Sequence, residues 1–331
     1  LLGWPEAKGL VCDIGGSSME LAEVGDGRVG RRATSALGPF KLFDVKGGKR
    51  GLKSYISDQL ASLRETIDGD YEQLYLVGGS WRAIARLDMI RRNYPLAVLH
   101  EYRMTRKSIS QTLDWIAQND INDLRRVSGI GESRMALVPM ACQVLKPLIS
   151  AYKPKGIAIS SYGVREGMLY EHMAQQLRRR DPLIEASRQL ESQDARFPGF
   201  GRTLTKFVAP LFPGAKTPQL RLIKAACLLH DVTWRAHPDY RAEVCFDTAT
   251  RANLGGLSHE ERVFLGLALL HRYKNSRAGT RFEPLFDLLP KEQQQTAEVL
   301  GKAMRFAAMF APLDAERLGS FRFYPKKKRL E

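Results

Sequence analysis

The sequence predicts an α/β domain followed by an all-α domain, and three observations point there. Short apolar runs ending in glycines, at 9–15 and 72–79, alternate with segments of helical period as far as about residue 175. Past QQLRRRDP at 175–182 the period is helical throughout, to about residue 312. The chain's 331 residues exceed one typical domain, and its 44% apolar content is enough for two cores. The expected boundaries are 1–176 for the α/β part, 181–312 for the helical part, and 313–331 for a short terminal strand and a basic tail.

Element by element, GLVCDIG at 9–15, MELAEV at 19–24 and RVGRRATSAL at 28–37 read as an antiparallel meander, with Asp26-Gly27 making its second connection a hairpin. Leu52 to Ile67 carries apolar residues at helical spacing. EQLYLVGG is a buried strand leading into the helix SWRAIARLDMI. Thr105 can cap a helix covering SISQTLDWIAQ, MALVPMACQVLKPLI at 135–149 is a long buried helix, and GIAISSYGVREGMLYEHM gives strand, turn and helix. In the second part, Asp181-Pro182 forms an N-cap and first turn, Thr217-Pro218 starts LRLIKAACLLHDV, and Ser258 with Glu261 fits a capping box for HEERVFLGLALLHRY. FRFYP at 321–325 reads as a last short strand before a frayed lysine-rich end.

Composition narrows the function. The sequence shows no apolar run near the roughly 18 residues that span a bilayer, and no secretory leader pattern. Cys12, Cys142, Cys227 and Cys245 lie far apart in apolar segments, which reads as reduced core cysteines in a cytoplasmic protein. Lysine and arginine number 51 against 36 acids, and the net charge of +15 favours polyanions such as polyphosphate, phosphorylated nucleotides or nucleic acid. No stacking-aromatic platform or reader motif accompanies that charge, so nucleic-acid binding is expected to be non-specific at most.

CDIGGSSMEL at 12–21 and LVGGSWRAI at 76–84 carry the candidate chemistry. Glycines let backbone approach a phosphate and consecutive N–H groups point at its oxygens, which describes Gly15, Gly16, Ser17 and Ser18. Asp13, at the strand end, could hold Mg²⁺ directly or through water. Glu20 could orient or deprotonate a water for attack on phosphorus. Gly78, Gly79 and Ser80 make a second glycine-rich turn, opening a helix whose N-terminal N–H groups favour an anion. Ordinary tight turns with exposed acids account for each stretch taken singly; two such turns in one domain shift the balance towards a phosphate site.

These motifs, together with RRVSGIGESRMALVPMA at 125–141 and SSYGVREGMLYE at 160–171, resemble the exopolyphosphatase and guanosine pentaphosphate phosphohydrolase family. The resemblance continues through DPLIEASRQLESQ and LLHDVTWRAHPDYRAE and covers essentially the whole chain. It implies a ribonuclease-H-like, actin-like half-domain followed by a helical domain related to HD phosphohydrolases. It also implies Asp13 as the Mg²⁺ carboxylate, Gly15 to Ser18 around a terminal phosphate, Glu20 activating water, and Gly78, Gly79 and Ser80 as the second turn of the cleft. Arg134 matches a structural or cleft-lining arginine, and a homodimer is implied.

Three departures stand out. Ser17 replaces a common third glycine, Arg134-Met135-Ala136-Leu137 lacks an acid usual after the alanine, and the family's earlier half-domain, with its own phosphate turn and a catalytic glutamate segment, is not in the sequence.

The helical part offers a further candidate, His230-Asp231, an adjacent pair of the HD type. No histidine lies between His172 and His230, and His230 continues an apolar stripe, so a packed core is expected there in place of a metal site. An inactive HD-like fold would serve as substrate channel or dimer scaffold. The expected activity is hydrolysis of terminal phosphoanhydride bonds of polyphosphate or guanosine pentaphosphate. A non-catalytic polyanion-binding or regulatory module is the alternative, and an actin-like kinase a weaker third.

Overall fold

The computed structural model describes residues 7–310, 322–324, 327, 329 and 330. The chain forms two compact units, Leu1–Arg179 and Arg180–Glu331.

The first unit is built on strands β1 (Gly9–Ile14), β2 (Met19–Gly25) and β3 (Arg28–Ser35), an antiparallel meander. Asp26 and Gly27 turn the second hairpin with φ of 51° and 71°, the left-handed pair that matches strand twist. Two helices follow, α1 (Pro39–Phe43) and α2 (Gly48–Thr66). The apolar period begins only at Leu52, but the helix starts at Gly48 because its first turn is polar and solvent-facing.

Strand β4 (Gln73–Val77) then runs parallel to β1 and leads into α3 (Gly79–Arg91). A two-residue strand β5 (Arg103–Met104) precedes α4 (Arg106–Gln118), where the Thr105 hydroxyl accepts from the Ser108 N–H. Short helices α5 (Ile121–Ser128) and α6 (Glu132–Met135) lead to α7 (Val138–Tyr152). The sequence reading ran this last helix from 135 to 149; Pro139, fitting only the first turn, moves the start to Val138, and Lys153 ends it in the left-handed region at φ 43°. Strand β6 (Gly156–Ser160), α8 (Val164–His172) and α9 (Gln175–Arg178) complete the unit.

The sheet order is β3-β2-β1-β4-β6-β5, with β1, β4 and β6 parallel and the other pairings antiparallel. This is the ribonuclease-H-like half of an actin-like fold. Alternation sorts the two faces. Leu10, Cys12, Ile14, Met19, Leu21, Leu74, Leu76, Ile157 and Ile159 all enter one core with α2, α3, α4 and α7. Asp13 and Glu20 therefore belong to the other face.

By composition and length Glu132–Tyr152 qualifies as a bilayer-spanning stretch, contrary to the sequence reading. It breaks at Ala136–Leu137, and Val138, Ala141, Val144, Leu145, Leu148 and Tyr152 are core residues of this unit.

The second unit is helical through residue 310: α10 (Pro182–Asp194), α11 (Phe200–Val208), α12 (Thr217–Leu229), α13 (Arg241–Arg251), α14 (His259–Tyr273), α15 (Glu283–Phe286) and α16 (Lys291–Phe310). The Asp181 carboxylate caps α10 through the Leu183 and Ile184 amides, and the Ser258–Glu261 capping box is formed. Thr217 is itself the first helical residue of α12, with Lys216 in the cap position and no side-chain cap, because Pro218 fits only within the first turn. Phe323–Tyr324 pairs with Arg329–Leu330; Phe321, Pro325 and most of 313–331 lie outside the described residues. All four cysteines are free, and Cys142 is only half-buried.

The buried Asp88 ties α3 to α4. It accepts from Ser108 Oγ (2.6 Å), Tyr102 Oη (2.6 Å), Arg91 Nη2 (3.1 Å) and Thr112 Oγ1. Burial alone would push its carboxyl up; the hydrogen bonds from Ser108, Thr112, Tyr102 and Arg91 outweigh it and hold it below the usual value. Asp88→Ala is expected to cost about 3 kcal/mol in urea unfolding at pH 7. A depressed folded value means the stabilisation is present above pH about 4 and fades as pH falls through the folded value, so the difference from wild type should shrink in acid.

Candidate active site

Asp13 is the fifth residue of β1 and pairs directly across the antiparallel ladder with Glu20 of β2. Directly opposed residues share a face, so the two carboxylates stand side by side on the face away from the core. Burial pushes the Asp13 carboxyl above its ordinary value and the Glu20 charge adds to this, with Arg82 opposing. The Ser18 hydroxyl donates to Glu20 Oε1 at 2.5 Å, holding that side chain against the turn.

The turn itself is open. Gly15 N–H donates to Ser18 O at 3.0 Å, but the reciprocal bond that would close a tight turn is not made. Among the described residues nothing accepts from the Gly16, Ser17 or Ser18 amides. Three consecutive N–H groups are thus left without an acceptor, an arrangement also found in oxyanion-binding turns.

Gly38 and Gly16 hold this geometry in place. A Cβ on Gly38 would lie 2.2 Å from Ser17 C and 2.3 Å from Ser18 N; one on Gly16 would lie 2.6 Å from the Phe40 ring. Gly15 is different, with nothing nearer than 3.6 Å.

The second turn meets the first. Gly78 has φ +113°, and a Cβ there would be 2.5 Å from Ile14 O and 3.1 Å from Asp13 Oδ1. The end of β4 therefore lies directly against the Asp13 carboxylate, and the first-turn amides of α3, which have no intrahelical acceptors, begin at Gly79. Ser80 is buried in that turn.

Arg82, which the sequence reading did not single out, donates through Nε to Gly78 O at 3.3 Å and through Nη1 to Ser161 O at 3.2 Å, joining the ends of β4 and β6. Arg134 is exposed and its Nε lies 3.2 Å from the Cβ position of Gly79. Both cations thus stand beside the α3 N-terminus. The signal for Arg82 was present in LVGGSWRAI: a basic residue one helical turn after the first glycine.

Residues 1–176 match the family model described as the Ppx/GppA phosphatase family, and residues 183–324 match that described as the C-terminal part of exopolyphosphatase. The chain belongs to the Ppx/GppA phosphatase family. It is 24% identical over 213 residues to Retrograde regulation protein 2 of Saccharomyces cerevisiae, covering 60% of this chain and 35% of that protein.

Among solved structures it is similar to the Aquifex aeolicus Ppx/GppA phosphatase, at 17% identity and a TM-score of 0.43 over 51% of this chain and 58% of that one. It is also similar to an exopolyphosphatase from Cytophaga hutchinsonii, at 18% identity and a TM-score of 0.46 over 50% and 57%. The chain thus spans about a third of the yeast relative and under three-fifths of the solved chains.

In this Ppx/GppA family member the helical unit's His230-Asp231 pair is engaged internally. Arg196 binds Asp231 through Nε to Oδ2 (2.8 Å) and Nη2 to Oδ1 (2.6 Å), and His230 Nδ1 lies 2.8 Å from Cys227 O. Burial first, and then the Arg272 charge, push His230 down to about 4. Among the described residues no group of three metal-ligating side chains forms, here or elsewhere.

The contrast between glycines is testable. Gly38→Ala and Gly78→Ala should each cost about 1–3 kcal/mol in urea unfolding, since backbone must move. Gly15→Ala should stay within about 0.5 kcal/mol of wild type.

Proposed function

We propose that this chain hydrolyses terminal phosphoanhydride bonds of polyphosphate or guanosine pentaphosphate. The observation carrying this reading is the convergence of the Asp13/Glu20 cross-strand pair, the unpaired Gly16–Ser18 amides and the α3 N-terminus at one end of the parallel strands. Ligands of open α/β sheets bind at that end. Family membership supports phosphoanhydride hydrolysis as the reaction class.

In this reading the Gly16, Ser17 and Ser18 amides orient the terminal phosphoryl oxygens. Gly79 and Ser80 receive the next phosphate at the helix N-terminus, with Arg82 and Arg134 adding positive charge. Glu20, steadied by Ser18 Oγ, accepts a proton as a water oxygen forms its bond to phosphorus. The P–O bond to the remaining chain breaks as the new one forms, and the shortened polyphosphate or nucleotide leaves as an anion.

The donor set fits Mg²⁺: two neighbouring carboxylates of which Asp13 is disfavoured as a bare charge, and oxygen donors only. Asp13 would hold the ion together with substrate oxygens. When bound, Mg²⁺ supplies neutralisation of phosphate charge.

A second reading, a regulatory polyanion-binding module without turnover, is favoured by one observation, the yeast relative's description as a regulation protein. Cytoplasmic location and a homodimer belong to the same proposal, the first resting on four free cysteines.

Phosphate release from long-chain polyphosphate and from guanosine pentaphosphate, measured with Mg²⁺ in the full gene product, decides between the two readings. Glu20→Gln is expected to lower turnover by about 10²–10⁴-fold with KM little changed. Unaltered turnover rejects the role of Glu20. Wild-type binding of polyphosphate without turnover of either substrate selects the regulatory module.

A further inference from the structure

Arg272, near the end of α14, is 7% exposed, and its Nε is enclosed with no hydrogen-bond acceptor. Among the described residues no oxygen accepts from any of its nitrogens. A guanidinium carries five N–H donors and does not lose its charge in proteins; here only Nε is enclosed, and the two Nη groups, without a protein acceptor, are left open to solvent or to an anion.

The surroundings add positive charge. The Tyr273 ring has Arg272 Cζ 4.7 Å and Arg241 Cζ 5.6 Å from its centroid. Its hydroxyl donates to His230 O at 3.0 Å and lies 3.4 Å from Asp231 Oδ1. Asp231 is the carboxylate that this hydroxyl approaches, and Arg196 already holds both its oxygens. Among the described residues Arg241 donates only to a neutral acceptor, Ala236 O. Arg272 and Arg196 thus share the field of one committed carboxylate, and Arg241 lies against the same Tyr273 ring as Arg272. His230, buried beside Asp231 and held down to about 4, adds no further positive charge near neutral pH.

We propose that Arg272 is the centre of an oxyanion site in the helical unit, taking a phosphate group, with Arg241 and Arg196 at its margin. The guanidinium fork offers two parallel donors to adjacent phosphate oxygens. The residual charge of the cluster matches a phosphate dianion better than a single carboxylate. The site uses residues of the second unit alone and is independent of the chemistry assigned to Asp13 and Glu20. Free phosphate and the end group of a polyphosphate chain present the same chemistry.

The test is thermal unfolding of the full chain titrated with potassium phosphate, chloride balancing ionic strength and EDTA removing divalent cations. Wild type and Asp13→Ala should both show a saturable rise in Tm. Arg272→Met should bind phosphate about tenfold or more weakly. Arg272→Lys should recover part of the response. In phosphate-free buffer Arg272→Met should unfold close to wild type, because methionine keeps the buried stem and only the contact with the Tyr273 ring is lost, with no hydrogen bond broken.

Tripolyphosphate separates the sources: a weaker response than phosphate assigns the site to the free ion, an equal or stronger one to a chain end. The proposal is overturned by an equal phosphate response in wild type and Arg272→Met, by none in wild type, or by marked destabilisation of Arg272→Met without phosphate. Because Asp13→Ala is a separate arm, failure of the catalytic reading leaves this result intact.

Discussion

The first unit depends on the approach of one backbone to another at Gly78. The carbonyl of Ile14 and the carboxylate of Asp13 occupy the space a side chain would fill. That missing side chain lets the end of β4 lie flush against the end of β1 and aims the first turn of α3 at the carboxylate pair. Three residues later Trp81, fully buried, fixes the helix in the core, and Arg82 bonds back to Gly78 O and across to Ser161 O. The buried Ile14 and Met19 anchor the two ends of the first turn, and Val77 and Trp81 those of the second. The glycines supply closeness, and only Gly78 of the site glycines supplies an unusual dihedral as well.

Local signals were legible wherever the stabilising partner lies within one turn of the chain. Asp26-Gly27, Thr105, Asp181 and the Ser258–Glu261 box were all readable for that reason, since each satisfies its own neighbouring amides or dihedrals. The start of α7 was misplaced because Met135 to Leu137 carry the apolar period while Pro139 decides where the helix begins.

The two glycine turns were visible as motifs, but their juncture was not. It depends on β1 and β4 pairing in parallel across more than fifty residues, with Asp13 level with Val77. Gly38 was illegible for the same reason: its own φ of −67° is ordinary, and only the distant Ser17–Ser18 backbone demands a glycine.

Antiparallel pairing placed Asp13 and Glu20 opposite one another, an arrangement that costs stability when both are charged. Among the described residues neither carboxylate forms an ion pair, and Asp13 is pushed up by burial and by its neighbour. The second unit treats its acid in the opposite way, for Asp231 is buried but clasped by Arg196 at two oxygens.

A carboxylate already satisfied by a guanidinium has little to gain from a cation, whereas a like-charged pair beside unpaired amides gains from both a cation and the phosphate it accompanies. At the end of β1 the unpaired charge is negative and the unpaired amides are donors, whereas at Asp231 the carboxylate is already paired. The difference follows from the partner each acid has, a guanidinium at Asp231 and a like-charged carboxylate at Asp13. In the helical unit the guanidinium of Arg196 therefore already supplies Asp231 with the positive partner that Asp13 and Glu20 lack.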